Sequence, residues 1–281
     1  MFFGTLSTAM APIVIARRPR GRAMAHFIAA CIAAVAVVSA GACGDADSPT
    51  SPQPNAAVKR LLVVTHTTGF RHPSIPTAES VLTRLGTDSR IFTVTFCRTQ
   101  SDVAEMLTSA GLAGVDGVFF ANTTGNLGIP DPAAFLGWIR DGGAFLGAHS
   151  ASDTYHEAPD FIAMLGGEFE THGNETSVDI RVEDRAHPAG APLPNPFTIF
   201  DEIYEFRTNP RGRVNVLLSL DRHPNDGHAA AGQPGDFPLA WYHAYGNGRV
   251  FYTALGHRDE VWNDSRYQQH LLGAIQWALV R

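Results

Sequence analysis

The most informative chemistry in the chain lies in Gly142-Gly143-Ala144-Phe145-Leu146-Gly147-Ala148-His149-Ser150-Ala151. An apolar run ends in small residues and a lone imidazole follows at once, in the order strand, G-x-H-S-A, helix. This is the layout of a nucleophile elbow. There a sharp strand-to-helix turn thrusts one side chain into a crevice, and crowding demands small neighbours. His149 takes the exposed place. A second polar turn comes late, where Phe251-Tyr252-Thr253-Ala254-Leu255 runs into Gly256-His257 with Glu260 three residues on. A carboxylate beside an imidazole orients it and raises its basicity, which suits acid–base work near neutral pH. His149, His257 and Glu260 are therefore the candidate catalytic groups.

The elements around them must bring the two turns together. From Lys59 onward, short apolar runs alternate with amphipathic stretches, the pattern of parallel strands joined by helices. Strands are predicted over 61–65, 92–96, 117–120 and 144–147. Helices are predicted over 75–85, over 101–107 with Ser101 as N-cap, and over 131–141 with Pro132 in its first turn and Gly142-Gly143 as its stop. Beyond Gly173 the chain turns β-rich, with strands over 178–182, 214–220, 239–243 and 250–253, before a single closing helix over 261–280. No repeat and no second domain boundary is visible. Loops that follow parallel strands emerge on one edge of the sheet, so His149 and His257 are expected in one crevice.

Composition narrows the class. With 281 residues and 44% hydrophobic content, the chain can bury a sizeable core. Arg17, Arg18, Arg20 and Arg22 precede an apolar run over 27–38 and the small residues Ser39-Ala40-Gly41-Ala42 before Cys43. Basic, then apolar, then small is the order of a secretory signal, and the run is too short to span a membrane. Ala40-Gly41-Ala42-Cys43 resembles a bacterial lipobox with Ala where Leu is commoner, which makes Cys43 the expected lipidation site. An ordinary signal cut near Ala42 is the alternative. Residues 44–57 are rich in Asp, Ser, Pro, Asn and Ala, a composition that stays solvated. The expected organisation is a signal with lipobox over 1–43, a tether over 44–58 and one domain over 59–281. The expected location is the cell envelope, periplasmic or outer surface, with the membrane reached through a lipid anchor.

Without residues 1–43 the chain keeps 17 of its 21 basic residues and all 27 acids, a net charge of −10. Lys59 is its one lysine, and no basic stripe exists, which argues against nucleic acid as a partner. With Cys31 and Cys43 in the signal, Cys97 stands alone, so neither a disulfide framework nor a thiolate metal cluster is expected.

In class I glutamine amidotransferases the elbow residue is a cysteine, and a late strand and loop deliver a His and a Glu with the order and spacing of His257 and Glu260. Here His149 replaces the thiol, so thioester hydrolysis of glutamine lacks its nucleophile. Together with His66-Thr67-Thr68-Gly69-Phe70-Arg71-His72, Gly166-Gly167 through His172, His187-Pro188, Asp201-Glu202-Ile203-Tyr204 and Trp241-Tyr242-His243, these segments resemble the ThuA-like, or trehalose-utilisation, family over residues 60–281. The resemblance implies an α/β fold: a flavodoxin-like, class I glutamine amidotransferase-like three-layer sandwich with a mostly parallel sheet. It also implies a small carbohydrate as partner, a disaccharide or keto-glycoside. That sugar is either processed by a hydrolase or isomerase, or only captured; a metal-dependent hydrolase of unrelated substrates is the third alternative.

The remaining candidates carry two readings each. Phe70 can stack on a sugar face, and Arg71 or His72 can bind hydroxyls, or this loop is simply tied down by its Arg and a packed aromatic. Asn122 ends a strand and either holds a hydroxyl or forms a turn. Asp153 either caps a helix or contacts substrate, and His156 reads as a rim residue. Glu168, Glu170 and His172 form a polar cluster that gains weight from the resemblance, as does Glu202. His243 is a further candidate substrate contact. His223 and His228 lie in a Gly/Asn/Asp-rich loop and are expected to be exposed, whereas His270 reads as structural. No tight H-x-H or H-E-x-x-H pair occurs, so a divalent ion such as zinc would need ligands from distant loops. Those are His149, His172, His243 and His257, with Glu202 or Glu260 as the oxygen donor. No cofactor is fixed by the sequence.

Overall fold

Runs of branched and aromatic residues bounded by polar turns become strands, and the stretches between them become helices. A computed structural model describes residues 57–280. The signal, the lipobox with Cys43 and most of the tether lie outside the described residues. The chain runs β1 (Lys59–Val64), α1 (Ile75–Ser89), β2 (Phe92–Cys97), α2 (Gln100–Met106), β3 (Gly117–Ala121), α3 (Pro132–Arg140) and β4 (Ala144–Ala148). A 3₁₀ turn, His149–Asp153, leads to α4 (Pro159–Leu165), β5 (Phe169–His172), β6 (Thr176–Val182), β7 (Phe197–Asp201) and β8 (Tyr204–Phe206). Then come β9 (Asn215–Arg222), β10 (Pro234–Tyr245), β11 (Gly248–Thr253), α5 (Asp259–Asn263) and α6 (Ser265–Leu279).

Nine strands form one sheet in the order β2-β1-β3-β4-β11-β10-β9-β6-β7, and β5 pairs with β8 in a separate ribbon. The first five are mutually parallel, in the doubly wound order of flavodoxin-like sheets. The other four extend the sheet through antiparallel pairs. The connections between the parallel strands send helices to both faces. On one side α1, α5 and α6 touch each other, and on the other α3 meets α4. The expected α/β sandwich built on a mostly parallel sheet is the fold observed.

The core sits under the parallel half. Phe120 lies 5.0 Å from Phe145 and 5.9 Å from Phe161, ring centre to centre, and Phe119, Phe145, Phe251 and Tyr252 are fully buried. No helix among the described residues is long and apolar enough to cross a membrane.

Three local expectations are corrected. The second helix is capped by Thr99, not Ser101, because Thr99 and Asp102 form a reciprocal capping box. The single helix expected at the C-terminus is two, because Asp264 adopts extended dihedrals and caps α6 through the Arg266 amide. The elbow continues only as a 3₁₀ turn, and α4 does not begin until Pro159.

Candidate active site and metal centre

β4 ends at Ala148, and His149 follows with φ +48°, the left-handed region. For a non-glycine residue that conformation costs on the order of 1 kcal/mol and turns the chain sharply. Gly147 is required beside it, since a Cβ there would lie 2.9 Å from the Cβ of Ala151. The imidazole of His149 is completely buried. Its Nδ1 lies 2.9 Å from the carbonyl oxygen of Ala254. A carbonyl only accepts, so Nδ1 carries a hydrogen, and Nε2 is left to face the crevice. The Tyr252 hydroxyl donates to the His149 carbonyl at 2.6 Å and further fixes the turn.

Two other parallel strands deliver imidazoles to the same point. After β11 the chain turns at Gly256, φ +121°, and presents His257, whose Nδ1 lies 3.2 Å from His149 Nε2. After β1 comes His72, buried, with its ring edge-on to His149 at 4.7 Å and to His257 at 5.2 Å. Asn122, at the end of β3 with φ +54°, laces these loops together. Its Nδ2 donates to the Gly256 carbonyl at 2.8 Å and to Ser74 Oγ at 3.0 Å. Ser74 Oγ in turn donates to the His257 carbonyl at 2.7 Å.

The acid partner comes from the antiparallel side. Glu202, between β7 and β8, places Oε2 at 3.4 Å from His149 Nε2 and 3.2 Å from His257 Nδ1. Its Oε1 lies 3.1 Å from His172 Nδ1. Glu175 Oε1 stands 3.4 Å from His257 Nε2, and buried Asp201 accepts the Gly256 amide at 2.8 Å. His72, His149, Glu202 and His257 each offer one donor atom, all within 4.8 Å of one another.

Electrostatics follows from this packing. Burial opposes charge on Glu202, but hydrogen bonds to His149 and His257 outweigh it and hold the carboxyl well below its ordinary range. Burial likewise opposes charge on His257, yet Glu202, Asp201 and Glu175 raise its pKa. At His72 the help from Glu202 is outweighed. Burial, then His149 and His257, push it down to about 3, so it stays neutral with a lone pair to offer.

Most of the residues expected at the site are brought together, and some are not. Glu260 is not the orienting carboxylate. It sits in the first turn of α5, exposed, bonded to Arg258 at 3.1 Å, and Glu202 and Glu175 stand where it was expected. His243 is also displaced. It pairs with Val250, three residues down β11 from Thr253, about 10 Å from the edge that carries His149. Phe70 is exposed with its ring edge against His72, whereas Arg71 ties down its own loop through the Thr65 carbonyl at 3.1 Å. His172 is half-exposed at the rim. Asp153 binds His156 and caps nothing, and His156 reaches Glu168 at 2.9 Å. His223, expected in solvent, is buried, and His270 is buried as expected, 2.9 Å from the Ala189 carbonyl. Glu175 went unnoticed because a single acid in a polar turn gives no signal. Ser150, 3.3 Å from His72 Nδ1, was visible only as a small elbow residue. Cys97 is buried on β2 and its thiol is pushed up to about 12 by burial, so it supplies no nucleophile.

Fold and site together define an α/β protein of the amidotransferase-like class whose elbow bears histidine. The family model for ThuA, trehalose utilisation, matches residues 60–278, and the chain belongs to that family. The structure is similar to that of a ThuA-like protein from Parabacteroides merdae, with TM-score 0.65 and 19% identity, covering 79% of this chain and 90% of that one. It is also similar to a ThuA-like protein from Bacteroides uniformis, with TM-score 0.61 and 22% identity over 81% and 95% of the two chains. A cytoplasmic protein of Salmonella typhimurium LT2 shares the fold at TM-score 0.56 and 14% identity, over 79% of this chain and 100% of that one. No curated protein matches the chain.

Proposed function

We propose that this chain is an enzyme acting on a small carbohydrate, a disaccharide or keto-glycoside, at a divalent-metal centre formed by His72, His149, Glu202 and His257. One observation carries the reading. Donors held at about 2.0–2.1 Å from a tetrahedral ion stand roughly 3.3 Å from one another. The three separations among His149 Nε2, His257 Nδ1 and Glu202 Oε2 are 3.2, 3.2 and 3.4 Å. The far nitrogens of the three imidazoles are oriented by the Ala254 carbonyl, Ser150 and Glu175, the outer support that metal-bound histidines use.

A bound ion of this class would polarise a sugar oxygen and acidify a water. The chain's own residues do the rest. Phe70 offers an exposed ring beside His72 for a sugar face. His172 and Asp153 offer polar atoms at the rim, and Glu202 stays ionised between the imidazoles. The family description supplies the carbohydrate.

A second reading has its own support. The 3.2 Å contact between His149 and His257 is also the geometry of a metal-free acid–base pair, one imidazole donating while the other accepts. Chelation separates the two. Turnover of keto-disaccharides should vanish in EDTA and return with zinc or manganese, and full activity after exhaustive chelation would sink the metal reading. Binding of a sugar without turnover under any condition would leave a capture protein.

We also propose export with a lipid anchor at Cys43, supported by the basic–apolar–small order that ends in Ala40-Gly41-Ala42-Cys43. Cys43→Ser should move the protein from membranes to the soluble fraction, and unchanged fractionation would refute the anchor.

A further inference from the structure

Residues 223–233, between β9 and β10, contain Gly, Asn, Asp and two histidines, a composition that predicts a solvated loop. The structure instead docks it. His223 is 8% exposed and Asp226 is 2% exposed. Asp226 packs against Gly173, where an added Cβ would fall 2.2 Å from its carboxyl carbon. The Asn174 amide donates to the Asp226 carbonyl at 2.7 Å. Facing the loop is Glu205 on β8, three residues beyond Glu202.

Four side chains converge there, and three of their buried atoms are left without a partner. His223 Nδ1 lies 3.0 Å from the Pro224 carbonyl, so its hydrogen is on Nδ1 and its Nε2 lone pair faces Glu205 Oε1 at 2.6 Å. Two electron-rich atoms at that distance repel unless a proton or a cation lies between them. His228 Nδ1 stands 3.6 Å from the same oxygen and 3.3 Å from Asp226 Oδ1. Glu205 Oε1, Asp226 Oδ2 and His228 Nδ1 are all buried with no hydrogen-bond partner among the described residues. Unmade bonds of this kind are costly, so native proteins fill them with a water or an ion. The donors of Glu205, His223, Asp226 and His228 all lie within 4.8 Å of one another.

We infer that these four residues form a second divalent-cation site, separate from the centre at His149, that pins the loop between β9 and β10 to β8. Two imidazoles and two carboxylates suit zinc. The ion would tie the loop after β9 to β8, so its role is structural. The His228 separations already match a tetrahedral edge of roughly 3.3 Å, and the His223–Glu205 pair has to open by several tenths of an ångström. Placement gives the site its purpose. Glu205 shares a short segment with Glu202 and Tyr204, and the docked loop also holds the turn after His172, so an ion here steadies the acidic wall of the first centre.

The test uses the purified full chain stripped with chelator, refilled with zinc and desalted, with bound metal counted by plasma mass spectrometry. A second readout is cobalt substitution, in which tetrahedral Co²⁺ absorbs strongly in the visible. Wild type should hold two zinc ions. Asp226→Asn combined with His228→Ala should lose one of them, with at least a hundredfold weaker binding at that site. His149→Ala combined with His257→Ala should lose only the other. If the first centre binds no metal, one ion remains in wild type and disappears with the Asp226/His228 pair, which still supports this site. Zinc content and cobalt spectrum unchanged in the Asp226/His228 variant would overturn it, and would mean that a water fills the cluster. Because His228 is half-exposed, the single His228→Ala variant should fold in any case, and it must show the same loss in weaker form.

Discussion

In β3 and β4 every residue is buried, whereas in β6 and β7 buried and exposed residues alternate. The first pattern belongs to parallel strands covered on both faces, the second to antiparallel strands with one face in water. The site divides along the same line. Its imidazoles, His72, His149 and His257, follow the parallel strands β1, β4 and β11. Its carboxylates, Glu202 and Glu175, come from the turns flanking β7 and β6 in the antiparallel half. The parallel platform can place loops on one edge by topology alone. The acids arrive only because a separate run of strands folds back over that edge.

The sharpest way to break this division is Glu202→Gln, which keeps the shape and removes the charge. If the antiparallel half supplies a working ligand, kcat/KM should fall by at least about a hundredfold, the upper end for loss of even an outer-shell partner, with loss of bound metal alongside. Wild-type kinetics in that variant would reduce the whole antiparallel half to scaffold.

Next comes the platform's own pair. His149→Ala and His257→Ala should each be severe, and the double variant should cost about what the worse single one does, since groups that act as a unit lose function together. Additive losses in kcat/KM would mean that the two loops work separately.

The seam between the halves gives a smaller effect, read in stability. His187, after β6, accepts the Ala189 amide at 3.1 Å, while His270 on α6 donates to the Ala189 carbonyl. Burial pushes both imidazoles down to about 4, against Asp184 and with Arg249 in the case of His187, and against the Ala189 hydrogen bond and with His187 in the case of His270. The unfolded chain takes up these protons below about pH 6.5, and the native one not until about 4. Stability is therefore full above pH 6.5 and falls as pH drops toward 4, by on the order of 3 kcal/mol per histidine. Urea unfolding at pH 7 and 4.5 should show the drop, and His270→Asn should remove about half of it. Equal midpoints for wild type at both values would refute the assignment.

The smallest effect sharpens the comparison from the other side. Glu260 belongs to the platform's loop but points to solvent beside Arg258, and exposed pairs of this kind contribute little. Glu260→Gln should leave kcat/KM within about twofold. A tenfold loss would restore it as the carboxylate that orients His257.

What could be read from the sequence follows the same boundary. The parallel strands announced themselves as apolar runs, and Gly147-Ala148-His149 and Gly256-His257 announced their turns, because close packing leaves few residue types that fit. Glu202 was visible only within Asp201-Glu202-Ile203-Tyr204, and Glu175 not at all, since a lone acid looks alike on a surface and in a cleft. Glu260 misled because spacing along the chain says nothing about which side of a helix faces the site. His243 misled because β10 runs against β11, so the end of the strand that carries it points away from the crevice. His223 misled because loop composition reports average solvation, not the carboxylate of β8 that awaits it.

The lacing of the edge by Asn122 and Ser74 bears on how such a protein changes its substrate. A crevice whose floor is cross-tied through the Gly256 and His257 carbonyls cannot admit a new ligand by induced fit, because moving one loop breaks bonds held by two others. Selectivity there is set by a rigid outline. Divergence among proteins of this build should then accumulate not at the floor but in the segments that overhang it, around Phe70 and in the ribbon of β5 and β8, where a substitution alters the mouth and leaves the knot intact.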